Sequence, residues 1–261
     1  MGILRSDRVS GLGGANAING STHFAGSLTT GNYLRVDTGS TTDFTFGTGD
    51  FTIEFWANSQ ASGFQQHFWD ARGTTNSQRM LIYMDSNNTM YYYDGTAARI
   101  QSSSALPIDE WVHVALVRAS ATTKLYWNGT QTGSTRTGDT VDYLAPTHGS
   151  AFIGSNGGTN GIEPSGGGYF NGFLSNYRIV KGTAVYTANF TTPNTRLTAI
   201  DGTVLLTCTS SGNVSKTEGG NDVQPSAKNN NSTPPTASTF VPDVGEDHGT
   251  TFADNTKFDT L

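Results

Sequence analysis

The glutamates of this chain are spaced too widely for the paired-carboxylate chemistry of glycoside hydrolysis. A retaining glycosidase needs two carboxyl groups about 5–5.5 Å apart. Residues two apart on a strand share a face at a similar reach, so the pattern to seek is E-x-D-x-E. None of the five glutamates stands in such a series: Glu54, Glu110, Glu163, Glu218 and Glu246. The sequence therefore argues against a hydrolase.

Nucleophilic catalysis and zinc binding find no better support in the residue pattern. The chain has no G-x-S-x-G motif. Its single cysteine, Cys208, follows the apolar residues 204–206, so we expect a buried, unreactive thiol. His113 alternates with apolar residues and is expected to lie in the interior, while the other histidines are too dispersed for a zinc site.

Three aromatic residues are candidates for a sugar-binding platform. Such a platform needs an exposed aromatic ring beside a few polar groups. Tyr92 is the middle residue of Tyr91-Tyr92-Tyr93, and strand alternation places it on the face opposite its two neighbours. Phe64 and Tyr169 lie in glycine-rich segments that are predicted to be loops. Packing within a sheet and contact with another protein are the alternative roles for Tyr92.

Short segments of alternating polarity predict an all-β fold that would position these residues. Phe51, Ile53 and Phe55 fall on one face of a strand, and residues 111–117 are apolar on both faces. Only 14% of the residues are charged, which favours strands over helices. Asn128-Gly129 predicts a type I′ hairpin turn. We therefore expect two stacked antiparallel sheets, a β-sandwich of the jelly-roll type.

Composition divides the chain into four parts. Residues 1–20 are predicted to be an extended N-terminal arm, and residues 21–208 the sandwich. Residues 209–239 are rich in Ser, Asn, Gly and Pro and are predicted to be a linker, followed by a C-terminal arm or the start of a further unit at 240–261. Apolar side chains in the two arms are candidate assembly contacts: Ile3, Leu4, Phe240, Phe252 and Phe258.

Three segments resemble the laminin-G-like domains of the concanavalin A-like lectin and glucanase superfamily. They are FGTGDFTIEFWANS, EWVHVALVRASATTKLYWNGTQTGS and FNGFLSNYRIVKGTAVYTANFTTP, and they occur in the order expected of that family. The third segment and the opening SDRVSGLGGANAINGS also resemble structural proteins of marine phages, cyanophages among them. The resemblance implies a lectin-like sandwich that is carried by a phage particle, as a capsid decoration or a tail component.

The same resemblance implies a calcium site, because laminin-G-like domains often bind calcium at one edge of the sandwich. Calcium prefers oxygen ligands, which Asp94, Asn156 and Asn160 would supply from predicted turns. The alternative is that Asp94 only forms its Asp-Gly turn and that the asparagines only accommodate left-handed backbone.

Charge and hydropathy restrict the partners. A net charge of −6 argues against nucleic acid. No apolar run approaches the roughly 18 to 20 residues of a membrane span, and residues 1–20 lack the apolar h-region that is typical of a secretory signal. We therefore expect a non-enzymatic virion protein, oligomeric and on the exterior of the particle, that contacts other virion proteins or a host-surface glycan. A calcium-dependent lectin is the alternative.

Overall fold

A computed structural model describes residues 17–38, 42–72, 78–144, 146, 150–157, 168–221, 223–228 and 233–242. In these ranges the chain forms strands and no helix, which confirms the all-β prediction. Consequently, none of the described residues belongs to a helix of the length and apolar character that crosses a membrane. In chain order the strands are β1 (Ser21–Phe24), β2 (Gly31–Asp37), β3 (Phe51–Ser59), β4 (Gln66–Asp70), β5 (Leu81–Met84), β6 (Thr89–Tyr93), β7 (Ala98–Ala105), β8 (Trp111–Ala119), β9 (Thr122–Trp127), β10 (Thr130–Thr137), β11 (Ser150–Ile153), β12 (Gly172–Lys181), β13 (Thr203–Thr207), β14 (Gly219–Gly220), β15 (Val223–Lys228) and β16 (Thr236–Ser238).

Two antiparallel sheets form the sandwich. The nine-stranded sheet has the order β10-β9-β8-β3-β12-β1-β16, and β13 and β14 continue from β12. The first half of β12 pairs with β1 and the second half with β13, on either side of a bulge between Ser175 and Arg178. The seven-stranded sheet has the order β15-β2-β11-β4-β5-β6-β7.

The core lies between the sheets and is rich in aromatic rings. Phe51, Ile53 and Phe55 all point into it, as the alternation in β3 predicts. The Phe55 ring stacks on Tyr177 of its own sheet at 4.8 Å and on Phe68 of the other sheet at 5.3 Å. Burial of such side chains is the main stabilising term of the sandwich.

Residues 209–239 are not a free linker, so that prediction is wrong where the structure describes the segment. β15 pairs with β2 over six residues, and β16 pairs with β1 over three. β15 lies at the edge of its sheet, a position that tolerates Pro225. Val223 is buried in the core. The sandwich therefore extends past Cys208 to Ser238.

An irregular segment, residues 182–200, covers part of the outer face of the nine-stranded sheet. Asn128 and Gly129 both have positive φ, as the predicted turn requires. The carbonyl of Gly129 accepts a hydrogen bond from the backbone N–H of Phe190, and a Cβ on this glycine would lie 1.8 Å from the Phe190 carbonyl oxygen. The hairpin turn therefore also serves as the contact point for the covering segment.

Candidate functional site

Three tyrosines lie side by side on the outer face of the seven-stranded sheet, and we call Tyr83, Tyr91 and Tyr93 the tyrosine face. Ile82 and Tyr92 point into the core, so alternation directs the residues beside them outward. Tyr83 and Tyr91 are directly opposite each other in the register of β5 and β6. Their rings stack at 5.1 Å with an interplanar angle of 14°, and both are partly exposed.

Neighbouring strands extend the tyrosine face on both sides. The buried ring of His67 on β4 lies 6.0 Å from the ring of Tyr83. Burial lowers the pKa of His67, and its Nδ1 lies 2.8 Å from the carbonyl oxygen of Gly168. A neutral His67 that donates from Nδ1 thus ties the backbone at Gly168 to β4. Gln101 on β7 lies opposite Tyr91 and is exposed.

Charged groups border the tyrosine face. The Tyr91 hydroxyl donates to Asp85 Oδ2 at 3.4 Å. Arg72 forms a two-pronged ion pair with Asp70, and its charge acts on Tyr83 and Tyr93. Burial, with Tyr91 and Asp85 adding to it, raises the pKa of Tyr83, so its hydroxyl stays protonated and able to donate. Flat apolar rings beside hydrogen-bonding groups are the chemistry of a sugar-binding platform.

Tyr92, the residue that the sequence nominated for this role, lies on the wrong side of the sheet. Its ring is fully buried, and its hydroxyl contacts Tyr143 and donates to Asp139 at 3.0 Å. Burial raises the pKa of Tyr92 well above its ordinary value. The packing alternative for Tyr92 is therefore the correct one. Its neighbours Tyr91 and Tyr93 are the accessible rings.

The other two predicted aromatic residues differ in exposure. Tyr169 is fully buried against Tyr33 and Phe152, so it offers no surface to a ligand. The predicted platform role of Tyr169 is thus wrong. Phe64 is partly exposed in the loop between β3 and β4. The backbone N–H of Gly63 in this loop donates to the Ser86 carbonyl beside Asp85, so Phe64 lies near one end of the tyrosine face.

Asp94 is committed to an ion-pair network and does not face solvent as a calcium ligand. Its Oδ2 accepts from Arg99 at 2.5 Å and from Arg136 at 3.0 Å, and its Oδ1 accepts from Thr96 and Ala97. Burial alone would raise the pKa of Asp94, but these hydrogen bonds outweigh it and lower the pKa to about 2. The guanidinium groups of Arg99 and Arg136 already offset the negative charge of this carboxylate, which makes it a poor ligand for a cation.

Two of the predicted calcium ligands, Asp94 and Asn156, are also not brought together. Asn156 follows β11, and Asp94 follows β6. These strands are three strand spacings apart in the sheet, about 14 Å. In the described ranges no group of three or more His, Cys, Asp or Glu residues could hold a metal ion. Asn160 lies outside the described residues, as do the assembly candidates Ile3, Leu4, Phe252 and Phe258.

Two buried carboxylates, Asp94 and Asp139, are joined by one arginine. Arg136 lies between Asp94 and Asp139, at 3.0 Å and 3.3 Å. Asp139 also accepts from the hydroxyls of Tyr92 and Thr123, and both aspartates are buried. The pair links the β6–β7 turn to the end of β10, a structural role. It does not form the open cleft that acid–base hydrolysis requires.

Glu54 is buried on the outer side of β3, under the covering segment 182–200. Its Oε1 accepts from Arg178 at 2.6 Å, and its Oε2 accepts from Tyr186 at 2.8 Å and lies 3.3 Å from His113 Nε2. Burial opposes ionisation, but His113 and Arg178 outweigh it and lower the pKa of Glu54. The single cysteine, Cys208, is buried as expected, and burial raises its pKa to about 12.

Comparison of the sequence with protein families gives a match over most of the sandwich. A laminin G family model, described as concanavalin A-like lectin/glucanases superfamily, matches residues 13–185. The chain belongs to this superfamily. A comparison with curated proteins found no match.

Solved structures share the concanavalin A-like fold with this chain. A candidate carbohydrate-binding protein from Bacteroides ovatus is 18% identical with a TM-score of 0.59, and the match covers 85% of this chain and 60% of that one. The chain thus spans three fifths of that protein's length. A pentraxin from Limulus polyphemus is 15% identical over 65% of this chain and 78% of its own, with a TM-score of 0.48. The CBM40 module of Ruminococcus gnavus IT-sialidase is 12% identical over 64% and 92%, with a TM-score of 0.47.

The alternation of β5 and β6 contains a signal for the tyrosine face. Side chains alternate between the two faces along both Leu81–Met84 and Thr89–Tyr93. When the two strands pair with Tyr83 opposite Tyr91, both rings therefore lie on the same face. The short connection between these strands predicts that pairing. Neither run contains a charged residue that marks which side faces water, although Thr89 shares the face of Tyr91 and Tyr93.

Proposed function

We propose that this protein is a non-catalytic carbohydrate-binding protein whose ligand lies on the tyrosine face. The observation that carries the proposal is the stacked, partly exposed pair Tyr83 and Tyr91 on an otherwise rigid sheet. The apolar C–H face of a sugar ring packs on such rings, while its hydroxyls reach Asp85, Arg72 and Gln101. Because the strands fix both rings, little conformational entropy is lost on binding.

A neighbour of the same fold and the arrangement of the carboxylates support a binding role without catalysis. The Bacteroides ovatus protein of the same fold is described as a carbohydrate-binding candidate. The buried carboxylates Glu54, Asp94 and Asp139 are each held by arginine. None of the three is free to act as a general acid toward a ligand on the tyrosine face.

A glycan array with the full chain tests the proposal. Specific binding to at least one glycan class is expected, and Tyr83→Ala or Tyr91→Ala is expected to weaken it about 10- to 30-fold, as removal of a central aromatic anchor does. Tyr91→Phe keeps the ring and loses only the hydroxyl, so most of the affinity should remain. Binding should also survive a calcium chelator, because Asp94 is already paired with arginines.

A variant away from the face provides the control. Ile200 is 39% exposed and precedes β13 of the other sheet, so Ile200→Ala should bind glycans like the natural chain. Loss of binding in Tyr91→Ala but not in Ile200→Ala supports the assignment. The proposal fails if no glycan binds, or if binding survives the double substitution of Tyr83 and Tyr91 by Ala.

We propose further that the protein is carried on the exterior of a phage particle, as a homo-oligomer that contacts capsid or tail proteins. Support comes from the resemblance of residues 170–193 and of the opening segment to marine phage structural proteins. Mass spectrometry of purified particles is expected to find the chain at many copies per particle. Its absence from particles, with the protein present in the lysate, would refute this setting.

A further inference from the structure

A second group of aromatic residues lies on the opposite sheet, and we call it the aromatic socket. Trp111 on β8 and Phe173 on β12 are the walls, with ring centroids 6.4 Å apart. Phe240, just after β16, lies against both rings, at 5.4 Å and 4.9 Å. The Phe240 side chain is nevertheless 41% exposed. It therefore fills the mouth of the socket without being sealed into the core.

The floor of the aromatic socket is a polar side chain, that of Asn58. Asn58 on β3 is in register with Trp111 on one side and Phe173 on the other, so it lies between the two walls. It is fully buried, and neither its carboxamide oxygen nor its nitrogen has a hydrogen-bond partner among the described residues. The indole N–H of Trp111 also lacks one. Burying such groups without partners costs free energy.

An apolar ring is therefore a poor occupant of the aromatic socket. Phe240 packs against the walls but offers no donor or acceptor to Asn58. A sugar ring would match both features, since its C–H faces pack on aromatic rings and two neighbouring hydroxyls can accept from and donate to one carboxamide. A third hydroxyl can accept from the Trp111 indole.

We propose that Asn58, Trp111 and Phe173 form a second saccharide-binding site, which Phe240 of the C-terminal segment closes in the unliganded protein. The site goes beyond the proposed function, because it lies on the other sheet from the tyrosine face. Phe240 competes with the sugar, and only a few contacts outside the socket keep Phe240 in place. β16 pairs with β1 over three residues, and the Ser21 hydroxyl donates to the Phe240 carbonyl at 2.6 Å.

The test uses the full chain labelled with ¹⁵N at tryptophan and titrated with glucose, galactose and N-acetylglucosamine. The chain has four tryptophans, and a Trp111→Phe variant identifies the Trp111 indole resonance. Phe240→Ala is expected to bind at least one of these sugars 10-fold or more tighter than the natural chain, with a shift of that resonance. Ser21→Ala, which only loosens the closing segment, should tighten binding about fivefold.

Asn58 distinguishes a ligand-binding floor from a packing residue. Asn58→Leu has nearly the same shape without the unpaired amide, so the melting temperature is expected to stay the same or rise, while sugar binding in the Phe240→Ala background is lost. A clear drop in melting temperature would contradict the proposal by showing that the amide serves the fold.

Two further outcomes separate this site from the tyrosine face. Binding at the aromatic socket should persist when Tyr83 and Tyr91 are both replaced by Ala, and this is expected even if the tyrosine face binds nothing. The proposal is overturned if Phe240→Ala and Ser21→Ala keep native spectra and no sugar moves the Trp111 resonance in either variant.

Discussion

Asp94 accepts five hydrogen bonds or ion pairs, from Thr96, Ala97, Arg99 and Arg136, and its pKa falls to about 2. An unfolded aspartate has a pKa of about 3.9, so the folded protein holds this proton more weakly than the unfolded chain does. The carboxylate therefore contributes stability that is complete above about pH 4 and is lost as the pH falls toward 2. Asp94→Asn should cost about 2 kcal/mol at pH 7, measured by urea unfolding.

Asp201 provides a matched control for this substitution, since it is an exposed aspartate in a turn before β13. Asp201→Asn should leave the free energy of unfolding within about 0.5 kcal/mol of the natural value. Between pH 4 and pH 2 the Asp94→Asn variant should lose less stability than the natural chain. Equal losses in the two proteins would mean that Asp94 is not the group whose protonation weakens the fold.

The residues of the site show what one-dimensional patterns leave open. Alternation correctly placed Tyr92 on the opposite face from Tyr91 and Tyr93. The run Thr89–Tyr93 contains no charged residue to show which face is exposed to solvent. Which face is buried depends on the opposite sheet, which supplies Asp139 to the Tyr92 hydroxyl. The pairing of Asp94 with Arg136 of β10 is likewise a contact between sheets that spacing along the chain does not reveal.

The segment 182–200 is held on its sheet by Tyr186. The Tyr186 hydroxyl donates to Glu54 Oε2 at 2.8 Å, and its ring stacks on Phe190 at 3.6 Å. Tyr186→Phe removes one donor from a buried carboxylate and should cost about 1–2 kcal/mol. Tyr186→Ala also removes the stacked ring and should cost about 3 kcal/mol. Urea unfolding gives both values, and hydrogen exchange should show the loss of protection concentrated in residues 182–200.

The stability losses of the two variants show which contact of Tyr186 holds the segment 182–200. If Tyr186→Phe unfolds like the natural chain, the hydroxyl contributes nothing and stacking alone holds the segment. If protection is lost throughout the sandwich, the segment is part of the cooperative core and not a separately held cover.

Strands with a strong pattern were predictable, and those without one were not. The apolar patterns of residues 51–55 and 111–117 predict buried strands, and Asn128-Gly129 predicts the turn that is found there. β15 has the sequence VQPSAK, which contains a proline and few apolar residues, and it becomes a strand only because the edge of β2 accepts it. Edge pairing of this kind is a property of the finished sheet, so composition alone assigned the segment to a linker.

The two sheets depend on the last part of the chain for their edges. β15 covers β2 and buries Val223 in the core, and β16 covers β1. Removing these strands leaves two unpaired edges, which attract other strands. The centre of the core, where Phe55 stacks on Tyr177 and Phe68, lies inside the superfamily match and does not depend on contacts with these strands.

A chain of residues 1–208 should therefore be less stable than the full chain, by at least about 2 kcal/mol from the burial of Val223 alone. It should also form larger assemblies than residues 1–242 form at the same concentration, because the edges of β1 and β2 are then open. A chain of residues 1–242 keeps β15, β16 and Phe240, and it is the matched control for the urea midpoint and for light scattering. If residues 1–208 unfold at the same urea concentration as residues 1–242, β15 and β16 do not stabilise the sandwich, and the prediction is wrong.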